Sequence, residues 1–380
     1  MSSVDFMQRL LDGVAVEWVA LGLVTTIKTG QSVNKQIISA NPGDYPVINS
    51  GREPLGFINE WNTDNNPIGI TTRGAGVGSI TWQEGKYFRG NLNYSATINS
   101  PDIISTRYLY HLLLEMQSEI QALCTFDGIP ALNAGNLKEL QIPIPCPENP
   151  KKSLEIQAEI VRILDAFTAH TAELTAELTA RKKQYNYYRD QLLSFDDREV
   201  EWKTLGDLCS IGVGQAPAGN EIGEYAFVNA GTTPSGYVTT YNAEPNTITT
   251  PSRGQGGIGY VGYQTTRFWC GPLCYKIRST SEMLSTRFVY HFMANSMKDI
   301  IGLANMAGVP ALNKKELVGF PVPIPSIAEQ ARIVNILDKF DALTNSITEG
   351  LPREIELRQK QYEYYRDLLL RFPKQEEEAA

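Results

Sequence analysis

Apolar residues recur at alternating intervals of three and four positions along one stretch of the chain, the spacing of a helix that packs along a seam. The seam positions are Ile160, Leu164, Phe167, Thr171, Leu174, Leu178, Arg181, Tyr185, Tyr188 and Leu192. Only Thr171 and Arg181 among them are not apolar. The pattern predicts a helix over residues 154–193, a rod of roughly 60 Å at 1.5 Å per residue.

A second helical stretch near the C-terminus has almost the same sequence. QAEIVRILDAF at residues 157–167 returns as QARIVNILDKF at 330–340, and RKKQYNYYRDQLL at 181–193 returns as RQKQYEYYRDLLL at 358–370. The chain therefore contains two related helical regions.

The second helical region differs from the first in carrying helix-breaking residues. Ser326, followed by Glu329 three positions later, predicts a capping box at its start. Gly350 and Pro352 then predict a stop and a restart instead of a continuous rod.

Short alternating runs such as YVGYQTTRFW dominate the rest of the chain, where Gly, Thr, Tyr, Asn and Val are frequent. Such runs are typical of strands and turns. Each of these parts also contains one amphipathic helix, predicted near residues 106–121 and 286–301. The pattern predicts domains of the α+β class.

The strand-rich parts are copies of one another, and internal repeats of this kind govern the whole organisation of a chain. The matched pairs are VEWVALG and VEWKTLG at 16–22 and 200–206, YPVINSG and YAFVNAG at 45–51 and 225–231, STRYLYH and STRFVYH at 105–111 and 285–291, GIPALN and GVPALN at 128–133 and 308–313, and IPIP and VPIP at 142–145 and 322–325. The residues before the first domain also echo those before the second, which makes the repeat nearly circular. We predict these segments: 1–15, an N-terminal segment that completes the circular repeat; 16–147, the first domain; 148–199, a central helical spacer; 200–325, the second domain; 326–372, a C-terminal helical spacer; and 373–380, an acidic tail.

Composition limits the class of protein. The 380 residues are enough for two or three domains, and no leader sequence or membrane-spanning apolar run is visible, so the cytoplasm is the expected location. The five cysteines are scattered and odd in number, which predicts reduced thiols. Cys270 and Cys274 could supply half of a zinc site, but no second pair follows them.

The net charge of −8 argues at first against a nucleic-acid-binding protein. The charge is unevenly distributed, however. Residues 245–278 contain four basic residues and no acid, whereas many acids lie in helical segments or in the tail. Local basic patches are therefore compatible with the acidic total.

The segments GIPALN, IPIP, EQARIVNILDKF and QYEYYRD resemble those of the specificity subunits of type I restriction-modification systems, over essentially the whole chain. The tandem TAELTAEL at residues 171–178 is similar to the short repeat in the central region of the type IC branch. The resemblance implies two similar target-recognition domains separated by two long conserved helices packed as an antiparallel coiled coil, an α+β fold with a pseudo-twofold internal repeat.

The resemblance also implies the partners. Each target-recognition domain would read one half of a split site in double-stranded DNA, the helices would set the gap, and two methyltransferase subunits would dock on the helical regions. Motor nuclease subunits would join the full complex. Two related domains held by a rigid spacer suit the local twofold symmetry of a duplex.

The sequence lacks the motifs of the enzyme classes that act on DNA or bind nucleotides. There is no (N/D)PP(Y/F) methyltransferase signature, no GxxxxGK(S/T) phosphate loop and no cluster of metal ligands. GQGGIG at residues 254–259 fits a dinucleotide motif formally but leads into a strand-like run, so it is interpreted as a glycine turn. We predict a non-catalytic subunit without a cofactor of its own, the methyl donor S-adenosylmethionine being bound by partners. The alternatives are a self-contained DNA-modifying enzyme and a scaffold that assembles subunits without reading sequence.

The candidate DNA contacts centre on two matched glycine turns, RGAGVG at residues 73–78 and RGQGGIG at 253–259. Glycine permits close approach of the backbone to another surface, and an adjacent arginine can bind guanine or a phosphate. Amide side chains after matched strands and glycines can read adenine. The predicted contacts are Gln31, Asn49, Thr72, Arg73, Gly74, Gly76, Arg89, Gln215, Asn229, Arg253, Gly254, Gln255 and Arg267. The alternatives are an exposed hairpin arginine and, for the repeated amides, a structural role in a shared fold.

Other repeated residues have less specific interpretations. Asn133 and Asn313 are expected to be turn or cap residues, and His111 and His291 to be packed within amphipathic helices. Exposed tyrosines beside arginines favour protein interfaces. The predicted contacts with the methyltransferase subunits are Tyr187, Arg189, Tyr364 and Arg366, with a solvated helix face as the alternative.

Overall fold

The computed structural model of the chain describes residues 13–51, 53–195, 199–217, 219 and 222–372. Most of the predicted N-terminal segment and the whole acidic tail lie outside the described residues. The chain divides into two compact units. The first extends to Glu173 and resumes at Ile355, and the second runs from Leu174 to Glu354. Each unit therefore combines one sequence repeat with parts of both helical regions.

The first unit contains one copy of the strand-rich repeat. Its strands are β1 (Val16–Ala20), β2 (Thr25–Thr29), β3 (Pro42–Ile48), β4 (Phe57–Ile58), β5 (Thr63–Asp64), β6 (Ile68–Thr71), β7 (Ile80–Trp82), β8 (Lys86–Arg89), β9 (Asn93–Ile98), β10 (Cys124–Thr125), β11 (Ala131–Leu132) and β12 (Gln141–Pro145). Its short helices are α1 (Leu21–Val24), α2 (Lys35–Ala40), α3 (Thr106–Glu115), α4 (Gln117–Ala122) and α5 (Ala134–Lys138). The long helix α6 (Pro150–Leu193) begins here and continues into the second unit.

The second unit contains the other copy. Its strands are β13 (Glu201–Thr204), β14 (Cys209–Val213), β15 (Tyr225–Val228), β16 (Gly236–Val238), β17 (Thr247–Pro251), β18 (Gly262–Gln264), β19 (Phe268–Cys270), β20 (Cys274–Ser279) and β21 (Pro321–Ile324). Its helices are α7 (Leu205–Leu208), α8 (Thr286–Asn295), α9 (Met297–Gly302), α10 (Lys314–Val318) and α11 (Ile327–Asn345). Helix α12 (Gly350–Leu370) begins in this unit and ends in the first.

The sheets repeat in the two units. The order β2-β9-β6-β7 in the first unit corresponds to β14-β20-β17-β18 in the second, and β4-β3-β8-β5 corresponds to β16-β15-β19. The motifs at the two ends of each repeat pair directly: Trp18 on β1 lies opposite Pro143 on β12, and Trp202 on β13 opposite Pro323 on β21. The VEW and IPIP motifs therefore close each domain on itself.

Helix α6 is continuous for 44 residues, about 66 Å at 1.5 Å per residue. Asn149 caps its start, where its side-chain oxygen accepts a hydrogen bond from the backbone N–H of Lys152 at 3.1 Å, and Pro150 occupies the first turn. The second helical region breaks between α11 and α12, as predicted. Gly350, with φ +74°, marks the restart, and a Cβ there would lie 2.3 Å from the carbonyl oxygen of Ala342.

Each unit has one principal hydrophobic core that joins its sheet, its domain helix and its long helices. In the first unit the core contains Ile70, Leu109 and Ile160, together with Leu369 from α12. The core of the second unit contains Ile248, Val289, Ile333 and Leu193.

The α+β fold with two similar domains and long helices confirms the predicted fold class. One detail was wrong: each predicted domain helix is two helices, because Met116 and Ser296 leave the helical conformation, with ψ of 20° and 28°. Among the described residues, no helix is both long and apolar enough to cross a membrane.

Candidate nucleic-acid interface

The matched glycine turns connect two antiparallel strands, β6 to β7 in the first unit and β17 to β18 in the second. Arg73 and Arg253 lie exposed at these turns. The following glycines, Gly74 and Gly254, have φ of +91° and +119°, which a residue with a side chain adopts only with strain. The glycines thus fix the turn that presents each arginine.

Each arginine turn pairs with the PALN motif of its own unit. Arg73 bridges Ala131, the Gly74 N–H donates to the carbonyl of Pro130 at 2.9 Å, and the Leu132 N–H donates to Thr72 at 2.8 Å. The second unit repeats these contacts between residues 252–254 and 310–312, with distances of 2.9 and 3.0 Å. Two motifs that are distant in sequence therefore form one surface in each unit.

A short hairpin projects beside each turn. Its tip carries Phe126 and Ile129 in the first unit, with exposed fractions of 62% and 70%, and Met306 and Val309 in the second, with 58% and 61%. Gly128 and Gly308 turn the tips with positive φ. We call the two tips, residues 126–129 and 306–309, the apolar tips.

The predicted basic contacts differ in their surroundings. Among the described residues, no hydrogen-bond or ion-pair partner is found for the guanidinium groups of Arg73 and Arg253. Arg267 is exposed but pairs with Glu244 at 3.1 Å and lies over the ring of Tyr241. Of the arginines predicted to contact DNA, Arg73 and Arg253 thus have a head group free for an anionic ligand.

The predicted glutamines are exposed at Gln31, Gln215 and Gln255. The backbone N–H of Gln31 donates to the carbonyl of Arg89, and that of Gln215 to Cys270, both at 2.9 Å. The three side chains are exposed, so DNA contact by these glutamines stays a prediction.

Asn49 and Asn229 have a structural role in this geometry. The side-chain oxygen of Asn49 accepts a hydrogen bond from the Leu92 N–H at 2.9 Å, and Asn229 does the same for Leu273 at the same distance. Asn49 is also 7% exposed. The structural alternative explains why both asparagines are repeated.

Burial corrects the prediction for Arg89. This side chain is 3% exposed, and its guanidinium donates to Asn93 at 2.5 Å, to the Asn66 carbonyl at 2.7 Å, and to the hydroxyl of Tyr87. Burial lowers the pKa of Arg89, and the Tyr87 contact opposes that shift. The guanidinium has no surface left for DNA.

The predictions for Thr72 and Gly76 are corrected in a similar way. Thr72 is 7% exposed, and its N–H donates to the carbonyl of Leu92 at 2.9 Å. A Cβ on Gly76 would lie 3.1 Å from the carbonyl of Ser50. Thr72 is thus buried, and Gly76 allows close approach of the Ser50 backbone, so both residues have a structural role in the turn.

Sequence reasoning missed a polar clamp between each domain and its long helix. Gln157 on α6 is fully buried; its carbonyl accepts from the Ser105 N–H at 2.9 Å and its amide donates to Ile103 at 2.9 Å. Gln330 on α11 makes the same contacts with Ser285 and Met283, at 2.9 and 2.8 Å. The repeated glutamine of the QAxIVxILD motif was the available signal, because a polar residue recurs there on an apolar helix face.

An aspartate two turns further along each helix completes the clamp. Asp165 accepts from Arg107 and His111, each at 2.8 Å. Burial favours the neutral acid, but these two hydrogen bonds outweigh it and hold the pKa of Asp165 below its usual range. Burial lowers the pKa of His111, against the pull of Asp165, so the imidazole is neutral in the folded chain near pH 7.

The second unit contains the same group of side chains. Arg287 and His291 contact Asp338 at 2.8 and 2.6 Å, and hydrogen bonds from both outweigh burial and lower the pKa of Asp338. His111 and His291 are 0% and 3% exposed, so their predicted packing is confirmed. Asn133 accepts from the Gly135 N–H at 2.7 Å, which confirms a cap role there.

The predicted partner contacts on the long helices divide into two groups. Tyr187 and Tyr364 are 63% and 56% exposed. Arg189 is partly exposed and pairs with Asp190 at 3.0 Å. Arg366 is corrected: it pairs at 2.5 Å with Glu115, whose side chain is 7% exposed, so it holds α12 to the first domain.

Cys270 and Cys274 are fully buried in a small cluster of the second unit, with Phe268 and Val228. Their register equivalents in the first unit are Arg89 and Asn93. No group of three or more potential metal ligands occurs among the described residues.

Comparison with known proteins adds to this geometry. The family model described as "Type I restriction modification DNA specificity domain" matches twice, at residues 14–182 and 198–357. The specificity subunit of a type I restriction enzyme of Escherichia coli is 39% identical, over 99% of both chains. A putative type I restriction enzyme specificity subunit of Haemophilus influenzae is 31% identical, over 97% of this chain and 98% of the relative. A solved structure of the S subunit of a type I restriction-modification system from M. genitalium matches with a TM-score of 0.70 and 21% identity, over 96% of this chain and 98% of that one, which supports the fold.

Proposed function

The chain belongs to the family of type I restriction-modification DNA specificity subunits, and on that premise we propose that each of its domains reads one half of a bipartite site in double-stranded DNA. The recognition domains would be residues 16–147 and 200–325. The reading surface would be the arginine turn with the strands and loops beside it.

One observation carries this proposal: the same exposed arginine, free of any partner among the described residues, occupies the same turn in both copies of the domain. An unpaired guanidinium loses no internal ion pair when it binds a phosphate or a guanine. The fixed backbone around it, including Gly74 and Gly254 with positive φ, supports direct approach to a nucleic acid.

The long helices would set the gap between half-sites and bind two methyltransferase subunits. Support comes from the uninterrupted 44 residues of α6 and from the exposed rings of Tyr187 and Tyr364. Each domain is tied to its helix by the glutamine and aspartate clamp, so a change in helix length would be transmitted to domain position.

Catalysis would reside in the partners, in the cytoplasm. The methyltransferase subunits would bind the methyl donor, and motor nuclease subunits would complete the complex. The net charge of −8 supports this division, because partners would then contribute much of the positive surface that faces phosphates.

The test is methylation mapping with the complex formed by this chain and its methyltransferase subunits. We expect methyl groups at a split sequence, and we expect the isolated chain to bind that site more weakly than the complex at equal salt. Methyl transfer by the chain alone would favour the self-contained enzyme, and equal binding of all sequences in a randomised DNA pool would favour the scaffold.

A further inference from the structure

The apolar tips are the strongest surface feature that the reading of half-sites does not use. Both carry two large exposed apolar side chains in the same register, although their sequences differ, FDGI in one and MAGV in the other. Exposed single apolar residues are ordinary, but a matched pair on both copies of a domain indicates a shared role.

We propose that each apolar tip inserts into DNA as a wedge at a base step beside the arginine turn. This inference rests on the proposed DNA-reading function. Proteins that distort DNA place one or two side chains such as Phe, Ile or Met between neighbouring bases, with arginine or lysine nearby. Phe126, Ile129 and Met306 belong to these residue types.

Hydrogen bonds hold the tip of the second unit in one conformation. In the second unit Asn305 and Ala311 exchange two backbone hydrogen bonds of 2.9 and 3.0 Å, and the Ala307 N–H donates to the Asn305 side chain at 2.9 Å. Gly308, with φ +78°, makes the turn. A preorganised tip enters the base stack without a further cost of ordering itself.

The arginine turn places a positively charged residue next to each tip hairpin. The hairpin below each tip is hydrogen-bonded to the turn, and the hydroxyl of Tyr275 donates to the carbonyl of Leu312 at 2.9 Å, which supports it from beneath. The backbone of Arg253 therefore lies beside the strand of the tip hairpin. A positive charge at that position favours DNA as the occupant.

The size of the tip also favours DNA over a protein partner. Stable protein interfaces involve about 20–30 residues on each side, whereas a wedge needs only the two side chains found here. Asp127 places a carboxylate on the first tip, and Ala307 replaces it on the second. The experiment therefore uses the second domain, because its tip carries no charged side chain.

The experiment uses the complex with methyltransferase subunits and duplexes that contain the mapped site, each with a single 2-aminopurine at one position in or beside the half-sites. Fluorescence of 2-aminopurine rises when its base loses stacking. We expect the native complex to raise it at one step per half-site. The double variant Met306→Ala and Val309→Ala should lose the signal at one half-site and weaken binding about tenfold, whereas Met306→Leu should retain both.

Ile222→Ala is the matched control, because Ile222 is 89% exposed in the same domain but lies outside the tip. Its complex should behave as the native one. The wedge is overturned if no step brightens in a native complex that binds its site specifically, if the double variant keeps the signal, or if that variant loses methyltransferase binding and not the signal. A native complex without specific binding would instead overturn the proposed function and, with it, the wedge.

Discussion

Atom Nε2 of His111, on the domain helix α3, lies 2.8 Å from Oδ1 of Asp165 on the long helix α6. The imidazole is completely buried, and Arg107 pairs with the same carboxylate at 2.8 Å. One aspartate thus ties two side chains of the domain helix to the long helix. Burial opposes a second proton on this imidazole, although Asp165 favours it, and this makes the contact between the two helices sensitive to acid.

The first prediction concerns that sensitivity. Burial holds the pKa of folded His111 below 6.5, whereas the unfolded chain takes up its proton near 6.5, so the unfolded state binds more protons as the pH falls below that value. The free energy of unfolding should therefore fall between pH 7.5 and 5.5. His111→Gln should make that fall smaller, as measured by urea unfolding at both pH values. Asp165, whose pKa is lowered, adds a further loss at more acidic pH.

His170→Gln is the control for this measurement, because His170 lies on α6 with about half of its side chain exposed. The control should change the free energy of unfolding at pH 7.5 by less than about 0.5 kcal/mol. An equal fall in the native chain and in His111→Gln would contradict the prediction.

The second prediction tests the glutamine clamp. Gln157→Ala leaves the Ser105 N–H and the Ile103 carbonyl without their partner in the interior, which should lower the free energy of unfolding by about 1–3 kcal/mol. Gln330→Ala should cost a similar amount. Glu155→Ala, at an exposed position two residues earlier, should change stability by less than about 0.5 kcal/mol. A clamp variant as stable as the native chain would show that water replaces the lost hydrogen bonds.

The third prediction concerns the arginine turns. Arg73→Ala or Arg253→Ala should weaken recognition of one half-site by about 1–3 kcal/mol and leave the preference of the other half-site intact. Binding to duplexes altered in one half-site at a time measures this. Arg162→Ala removes an exposed arginine from α6 and should change neither half-site. If both turn variants keep native affinity and preference, the arginines are structural.

The fourth prediction uses α6 as a ruler. Thirteen residues, 168–180, separate LDAF from RKKQYNYY in the first region, and seventeen, 341–357, separate LDKF from RQKQYEYY in the second. Inserting TAEL after Leu178 lengthens the helix by about 6 Å and rotates it by roughly 40°. Base pairs rise about 3.4 Å, so the unread spacer should widen by one or two base pairs while both half-sites stay the same.

The break between α11 and α12 offers a matched control for the ruler. The same four residues inserted within 346–349, which are not helical, should be absorbed there and leave the spacer unchanged. Methylation mapping reads both results. The ruler would be refuted by the original spacer, or by new half-site bases, after insertion at Leu178.

The fifth prediction addresses partner binding. Tyr187→Ala and Tyr364→Ala remove the exposed rings of the two YYRD segments and should each weaken association with the methyltransferase subunits by more than about 1 kcal/mol. Tyr237→Ala removes a ring of similar exposure, 55%, from a domain strand and should not. Titration calorimetry with the purified partner measures all three. Equal affinities would support a solvated helix face.

Local patterns were enough for the helices and the repeat. The seam spacing predicted a continuous α6, and Gly350 and Pro352 predicted the break before α12, because helix periodicity and helix breakers act over a few neighbouring residues. The cap at Asn133 followed for the same reason. The split of each domain helix at Met116 and Ser296 was missed, since neither residue is a helix breaker by itself.

Burial of polar side chains could not be deduced in this way. Arg89 was expected to be exposed on its strand. In the structure its guanidinium is enclosed by Asn93 and the carbonyl of Asn66. Arg366 was expected to face a partner, but Glu115 holds it within the first unit. Asn93, the Asn66 carbonyl and Glu115 all lie outside the element that carries the arginine they contact, so no pattern along one element predicts these contacts.

The sequence by itself determined that this chain is a duplicated α+β protein with two helical regions, because repetition and periodicity are properties of residue order alone. Only the tertiary structure joined Arg73 to the PALN motif, Gln157 and Asp165 to the domain helix, and the apolar tips to the arginine turns. The physical reason is that these contacts form between segments far apart in the chain. Which polar groups find partners there, and which stay free for a ligand, depends on how the packed core brings those segments together.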